Sequence, residues 1–128
     1  MPFSFHPDAR SGIFHVRAVG QVDDTEVVDL WERLSHETAF ISGWPILCDC
    51  SGVTALLVSS NVIESFAKAA RTRHNPVAII APQAVAFGLA RMYQILNDPD
   101  DKRIHIFAKA HEASVWLAAG MKETARHA

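Results

Sequence analysis

The chain has 128 residues, a formal net charge of −2 and 49% hydrophobic residues. A chain of this length is typical of one domain and buries roughly two-thirds of its unfolded surface, so we expect a single domain over residues 1–128. Its 12 basic and 14 acidic residues nearly balance, which gives no electrostatic basis for binding nucleic acid or an anionic membrane surface.

The sequence also argues against export and membrane insertion. Residues 1–8 contain no basic region followed by an apolar stretch, as a secretory signal requires. The most apolar region, residues 77–90, is interrupted by Pro82 and is too short to cross a bilayer. The two cysteines, Cys48 and Cys50, lie two apart in a predicted strand, where their geometry disfavours a mutual disulfide. We therefore expect a cytoplasmic protein without a transmembrane segment.

The first half of the chain predicts a hairpin, a helix and a buried strand. Residues 3–6 and 13–22 are rich in β-forming residues, and turn-forming residues separate them. The spacing of apolar residues then becomes helical from about residue 24 to residue 40, with Asp23 and Glu26 as a cap-like pair at the start. Residues 46–50 form a short apolar run, which is typical of a buried strand.

The second half repeats a helix and strand pattern. Asn61 and the two serines before it mark a helix start, residues 77–81 and 103–107 predict strands, and Pro82 is placed to open another helix. A last helix is predicted over residues 112–119, ended by Gly120, with a weakly held tail from about residue 121. The order ββαβαβαβα predicts an α/β fold with a five-stranded mixed sheet and helices packed mainly on one face. The core stripe predicted for the helix after Pro82 is Val85, Leu89, Met92, Tyr93 and Leu96.

Several local phrases resemble a known family. They are Asp49-Cys50-Ser51-Gly52-Val53, Ala81-Pro82 followed by Ala86-Phe87-Gly88-Leu89-Ala90-Arg91-Met92, and Glu112-Ala113 followed by Trp116-Leu117. Together with the element order, they resemble the STAS fold of anti-sigma factor antagonists such as SpoIIAA, and more closely a group of small uncharacterised bacterial STAS-like proteins. The resemblance covers nearly the whole chain and implies a regulatory or binding module.

The resemblance also implies a phospho-acceptor. In phosphorylatable antagonists the helix after the central strand opens with Asp-Ser-Ser-Gly, and the second serine accepts phosphate from a partner kinase. The corresponding residues here are Val58, Ser59, Ser60 and Asn61. Ser60 matches the acceptor and Ser59 is its neighbour, but Val58 and Asn61 replace the flanking Asp and Gly. A phosphorylation-controlled switch is therefore an alternative function.

A polar cluster is expected where the parallel strands end, because ligands gather beyond the carboxyl ends of such strands. This rule brings Asp49, Ser51 and Ser60 near Gln83 and Lys109, a set able to hold a phosphate or another small anion. The structural alternative is that the serines only cap a helix and that Asp49 only satisfies loop amides.

The helix after Pro82 carries a second candidate surface. Phe87, Arg91 and Gln94 recur at helical spacing away from its predicted core stripe. An aromatic residue beside arginine is typical of an interface or a ligand pocket, and the alternative is a single Phe at the edge of the core. We expect a dimer interface or a pocket at this surface.

The sequence contains no recognised enzyme motif. It lacks a Gly-x-Ser-x-Gly elbow and a phosphate-binding loop, and its seven histidines form no metal-binding pattern. We expect no cofactor and no metal. The leading hypothesis is a noncatalytic, homodimeric module that binds a protein partner or a small apolar or anionic ligand. A small hydrolase using Ser60 or Asp49, with Lys109 or His111 as base, ranks last.

Overall fold

A computed structural model describes residues 2–99 and 103–126. These residues form one five-stranded sheet and five helices. The strands are β1 (Phe3–Asp8), β2 (Ile13–Asp23), β3 (Ile46–Leu57), β4 (Val77–Ile80) and β5 (Ile104–Phe107), and the helices are α1 (Asp24–Leu34), α2 (Thr38–Ile41), α3 (Ser60–Ala70), α4 (Ala84–Asn97) and α5 (Ala110–Arg126).

The strands lie in the sheet in chain order. β1 and β2 pair antiparallel as a hairpin, and β2, β3, β4 and β5 pair parallel, each with the next. Each parallel connection contains at least one helix, as parallel strands require. The predicted mixed sheet with a parallel centre is confirmed.

The helices cover the two faces of the sheet unequally. Ile46 and Ile79 pack with the core beneath α1 to α4, whereas their neighbours Leu47 and Ile80 pack with Ala113 of α5. Successive residues of a strand point to opposite faces, so α5 packs alone on the second face. The prediction of helices mainly on one face is confirmed.

Two predicted helix boundaries are wrong. The first helix ends at Leu34, and residues 38–41 form the separate α2. The Ser35 hydroxyl donates to the Trp31 carbonyl over 2.8 Å, a local side-chain bond that satisfies an end carbonyl of α1. The last helix does not end at Gly120 but continues to Arg126, and Gly120 is absent from the glycines with positive φ that would mark a left-handed helix end.

The central strand is longer than predicted. β3 runs to Leu57 instead of ending at residue 50, because β2 pairs with it as far as Leu57. The β2–β3 ladder contains two irregularities, and Gly20 at the second has a φ of +82° that favours glycine. β4 pairs with β3 only up to Asp49. Residues 50–57 therefore carry the strand well beyond the edge where β4 ends.

Candidate functional site

An apolar cavity of about 160 Å³ lies between the sheet and the helices of its covered face. Val16 of β2 and Val53 of β3 line its floor, and Leu30, Phe66 and Leu89 line it from α1, α3 and α4. Protein interiors contain few voids larger than a water molecule. A space of this size is therefore a candidate ligand site.

Small side chains leave this space open. Ala86 and Ala90 are buried on α4, Ala18 is buried on β2, and all three line the cavity. The predicted α4 stripe is wrong in its register: Val85 is exposed, while Leu89 and Tyr93 are only half-buried and line the cavity. The cavity was not predicted, because hydrophobic periodicity indicates which face of a helix is buried and not how much volume the buried side chains fill. The alanines at sheet-facing positions are the signal that could have revealed it.

Aromatic rings hold the helices together beside the cavity. Phe66 of α3 packs against Trp31 of α1 and Tyr93 of α4, each with 5.5 Å between ring centroids. Trp31 also meets Phe40 of α2 edge to face at 5.9 Å. Aromatic pairs at these distances add stability beyond their buried area. This cluster, Trp31, Phe40, Phe66 and Tyr93, links α1 to α4 over the covered face.

The cavity wall contains few polar groups. The Sγ atoms of Cys48 and Cys50 lie 3.8 Å apart, and both residues line the cavity together with Tyr93. The Tyr93 hydroxyl oxygen accepts a hydrogen bond from Asn97 Nδ2 over 3.1 Å. Burial raises the pKa of Tyr93 well above its ordinary value. The phenol is therefore neutral at physiological pH, and the lining favours an uncharged, apolar occupant.

Three residues of the predicted anion cluster do lie together. Asp49 Oδ1 accepts from the Ser51 hydroxyl over 2.6 Å and from the Ser51 N–H over 2.9 Å. Gln83 Nε2 donates to the Ser51 carbonyl over 2.5 Å. These bonds connect β3 to the start of α4, where β4 ends. The Asp49 carboxylate is directed at local donors, which matches the structural alternative for this residue.

Ser59 and Ser60 lie at a different place, because β3 continues past Asp49. Ser59 is the N-cap of α3, and its hydroxyl accepts from the Val62 N–H over 3.3 Å. The Ser59 N–H donates to Asp24 Oδ1 over 2.6 Å. Ser60 is exposed and lines a groove between α3 and α4 together with Arg91. Among the described residues, no hydrogen bond joins Ser60 to the Asp49 cluster.

Lys109 and His111 lie at the start of α5 and are exposed. The Lys109 carbonyl accepts from the Ala113 N–H over 3.3 Å. The body of α5 packs on the face of the sheet opposite α3. Among residues 2–99 and 103–126, no hydrogen bond joins Ser60 to Lys109 or His111, the pair on which the hydrolase alternative depends.

The three residues predicted for the α4 surface differ in their exposure to solvent. Phe87 is 50% exposed and Arg91 is exposed, whereas Gln94 is 6% exposed. Gln94 Nε2 donates to the Ile104 carbonyl over 2.6 Å, and Gln94 Oε1 accepts from Arg91 Nη1 over 2.5 Å. Gln94 thus anchors α4 to β5 and orients Arg91. Phe87 and Arg91 both lie on the exposed side of α4.

Residues 2–99 and 103–126 contain neither a metal-binding cluster nor a membrane-spanning helix. No group of three or more His, Cys, Asp or Glu side chains is arranged to bind a metal ion. No helix in these ranges combines the length and apolar character needed to span a membrane.

Comparisons with known proteins identify the fold. No protein-family model matches the sequence, and neither does any curated protein. A solved structure of an uncharacterized DUF3478-family protein from Shewanella loihica PV-4, described as having a SpoIIAA-like fold, matches with a TM-score of 0.59 at 16% identity, covering 90% of this chain and 91% of that one. The anti-sigma factor antagonist SpoIIAA in its unphosphorylated form matches with a TM-score of 0.58 at 13% identity, covering 92% and 98%. The chain therefore has the SpoIIAA-like, or STAS-like, fold.

Proposed function

We propose that the chain is a noncatalytic STAS-like regulatory module of the cytoplasm, which binds a small apolar ligand between its sheet and helices. The observation that carries this proposal is the apolar cavity of about 160 Å³. An apolar cavity of about 150 Å³ stays dry and takes up benzene, so a space of this kind gains favourable contacts when an apolar molecule fills it.

The cavity favours an apolar ligand over an anionic one. An anion transferred into it would lose its hydration without gaining a cationic partner, since the described residues of the lining include no Lys, Arg or His. The Asp49 cluster also disfavours an anion, because its carboxylate would repel one. Of the two ligand classes expected from the sequence, the apolar class therefore fits the lining.

Ligand occupancy offers a route to regulation. Leu89 and Tyr93 line the cavity from α4, while Phe87 and Arg91 lie on the exposed surface of the same helix. A ligand that displaces α4 slightly would move the exposed surface with it. We infer that α4 connects the ligand to a protein partner or to a second copy of the chain.

Native mass spectrometry of gently purified protein tests the ligand proposal. The parent chain is expected to carry an apolar ligand as excess mass that disappears on denaturation. Ala90→Leu adds bulk inside the cavity and should abolish the excess mass, whereas Ala119→Leu makes the same change at an exposed position of α5. Excess mass retained by Ala90→Leu, or absent from the parent, would contradict the proposal.

A phosphorylation switch at Ser60 is the second candidate function. It is favoured by the exposed position of Ser60 in the first turn of α3 and by Arg91, which lines the same groove. A phosphate there would meet the positive end of the helix and a guanidinium group.

Protein isolated from its native cell should then show phosphate on Ser60. Ser60→Asp should change the affinity for a partner, whereas Ser114→Asp, at an exposed position of α5, should not. An unmodified Ser60, together with unchanged affinity, rejects the switch.

A further inference from the structure

Cys48 and Cys50 form a pair of thiols directed into the cavity. They occupy alternate positions of β3, so their side chains share one face of the sheet. Their Sγ atoms lie 3.8 Å apart, and both residues line the cavity. Both cysteines are free thiols. A single atom placed between them could bond both sulfurs from inside the cavity.

The strand geometry opposes a direct disulfide between them. A disulfide needs an S–S distance of about 2.05 Å, and the two sulfurs lie 3.8 Å apart. The strand rise places Cα atoms at positions i and i+2 about 6.6 Å apart, at the upper end of the range that a disulfide spans. Because β3 is paired on both sides at Cys48, shortening this distance would disturb the ladder. The dithiol is therefore the form that the sheet favours.

The surroundings also oppose a metal ion with four protein ligands. Zinc in structural sites takes four ligands, and the described residues contain no group of three metal-binding side chains. Two thiolates neutralise a dication. A metal ion of any other charge that they held would leave a net charge against an apolar wall. The best match is a thiophilic centre that forms a neutral adduct with two sulfurs and carries an apolar group of its own.

We propose that Cys48 and Cys50 together bind the arsenic atom of a monosubstituted trivalent arsenical, whose apolar substituent occupies the cavity. Two As–O bonds of R–As(OH)₂ break and two As–S bonds form. The two thiol protons leave with the hydroxyl groups as two water molecules. Arsenic remains trivalent, no oxidant is needed, and the product is neutral. The inference rests on the cavity that carries the proposed function.

The two thiols are coupled through a sulfur–sulfur hydrogen bond in which either can be the donor. The hydrogen bond between them lowers the pKa of Cys50 and raises the pKa of Cys48, and burial raises the pKa of Cys48 further. Since the thiolate is the nucleophile, the sulfur that is deprotonated forms the first As–S bond. The other sulfur, 3.8 Å away, then closes the second bond within the same complex.

The cavity volume selects the substituent. About 150 Å³ of apolar space holds one benzene molecule, and this cavity has about 160 Å³. A phenyl group therefore matches the cavity volume, which makes phenylarsine oxide the probe of choice. Filling the cavity by Ala90→Leu should weaken its binding at least tenfold, while Ala119→Leu should leave it unchanged.

Intact-mass spectrometry and thiol alkylation of the folded, reduced chain test the proposal. One phenylarsine oxide should add per chain with loss of one water relative to the anhydrous oxide, and both cysteines should then resist iodoacetamide. Cys48→Ala and Cys50→Ala should each weaken binding about 100-fold, because one of two linked bonds is lost. Circular dichroism checks that each variant is folded, and Cys48→Ser and Cys50→Ser provide a second pair if an alanine variant is not.

Two results would overturn the inference. One is an adduct that leaves a cysteine open to alkylation, and the other is a folded single-cysteine variant that binds within threefold of the parent. Failure here is distinguishable from failure of the proposed function. The double variant Cys48→Ala/Cys50→Ala removes the arsenical site but keeps the cavity, so loss of its arsenical binding with retained toluene binding is the expected pattern.

Discussion

At the scale of single residues, Asn75 is a buried polar anchor that the sequence does not mark. It is 3% exposed in the loop between α3 and β4. Its Nδ2 donates to the Phe40 carbonyl over 3.1 Å and to the Trp44 carbonyl over 2.9 Å. Asparagine before proline is typical of a turn, and this local pattern contains no sign of the two distant carbonyls that Asn75 contacts. The structure shows that Asn75 fixes the segment after α2 against the loop before β4.

Replacing Asn75 should destabilise the fold. Asn75→Ala removes two hydrogen bonds and leaves two carbonyls without this donor, which costs about 2 kcal/mol. Urea unfolding of the parent and the variant measures the difference in the free energy of unfolding. Asn61→Ala removes the same amide from an exposed position of α3 and should cost far less. Equal losses in the two variants would contradict the role assigned to Asn75.

At the scale of elements, the sequence predicted type and order well and boundaries less well. Phe14, Val16 and Ala18 alternate along β2, which is the pattern of a strand with one buried face, and all three are buried. Asp23 was predicted to cap α1, and its Oδ1 accepts from the Glu26 N–H over 3.0 Å. These features are local, so the sequence contains them.

Boundaries that depend on distant partners were missed. Ser51 and Gly52 interrupt the apolar pattern after residue 50, and β3 extends past them because β2 supplies the pairing. Asp49 and Ser60 were expected to lie close together because β3 was predicted to end at residue 50. The longer strand places them apart. Local pattern alone does not reveal how far a neighbouring strand extends.

The path of α5 through Gly120 gives a prediction at this scale. A helix that ended at Gly120 would need its left-handed conformation, and alanine would be strained there. In a continuing helix, alanine is favoured by up to about 1 kcal/mol, and a Cβ atom at Gly120 would meet no atom of the described residues within 4 Å. Gly120→Ala should therefore raise the free energy of unfolding. Gly20→Ala, at a φ of +82°, should lower it by about 1 kcal/mol. A destabilised Gly120→Ala would show that α5 ends where the sequence suggested.

At the scale of the whole molecule, α4 presents an apolar outer surface. Arg91 is the one charged residue among the 14 of α4, and Val85, Phe87 and Ile95 are each at least half exposed. Exposed apolar residues grouped on one element are typical of interaction sites. We therefore retain this surface as the proposed homodimer interface, with Gln94 beneath it as a support.

Light scattering tests the dimer directly. The parent chain should have the mass of two chains, and Phe87→Asp should reduce it to one because a charge is placed in an apolar interface. Val115→Asp makes a comparable change at a residue of α5 that is 54% exposed, and it should leave the dimer intact. A monomeric parent, or a dimeric Phe87→Asp, would contradict the interface.

The central claim is that the space between sheet and helices binds an apolar molecule, and thermal unfolding with and without toluene tests it most directly. A ligand at ten times its dissociation constant stabilises a protein by about 1.4 kcal/mol, so toluene should raise the unfolding temperature of the parent and of Ala119→Leu. It should not raise that of Ala90→Leu, whose added side chain occupies the cavity. An equal rise in Ala90→Leu, or no rise in the parent, would contradict the account.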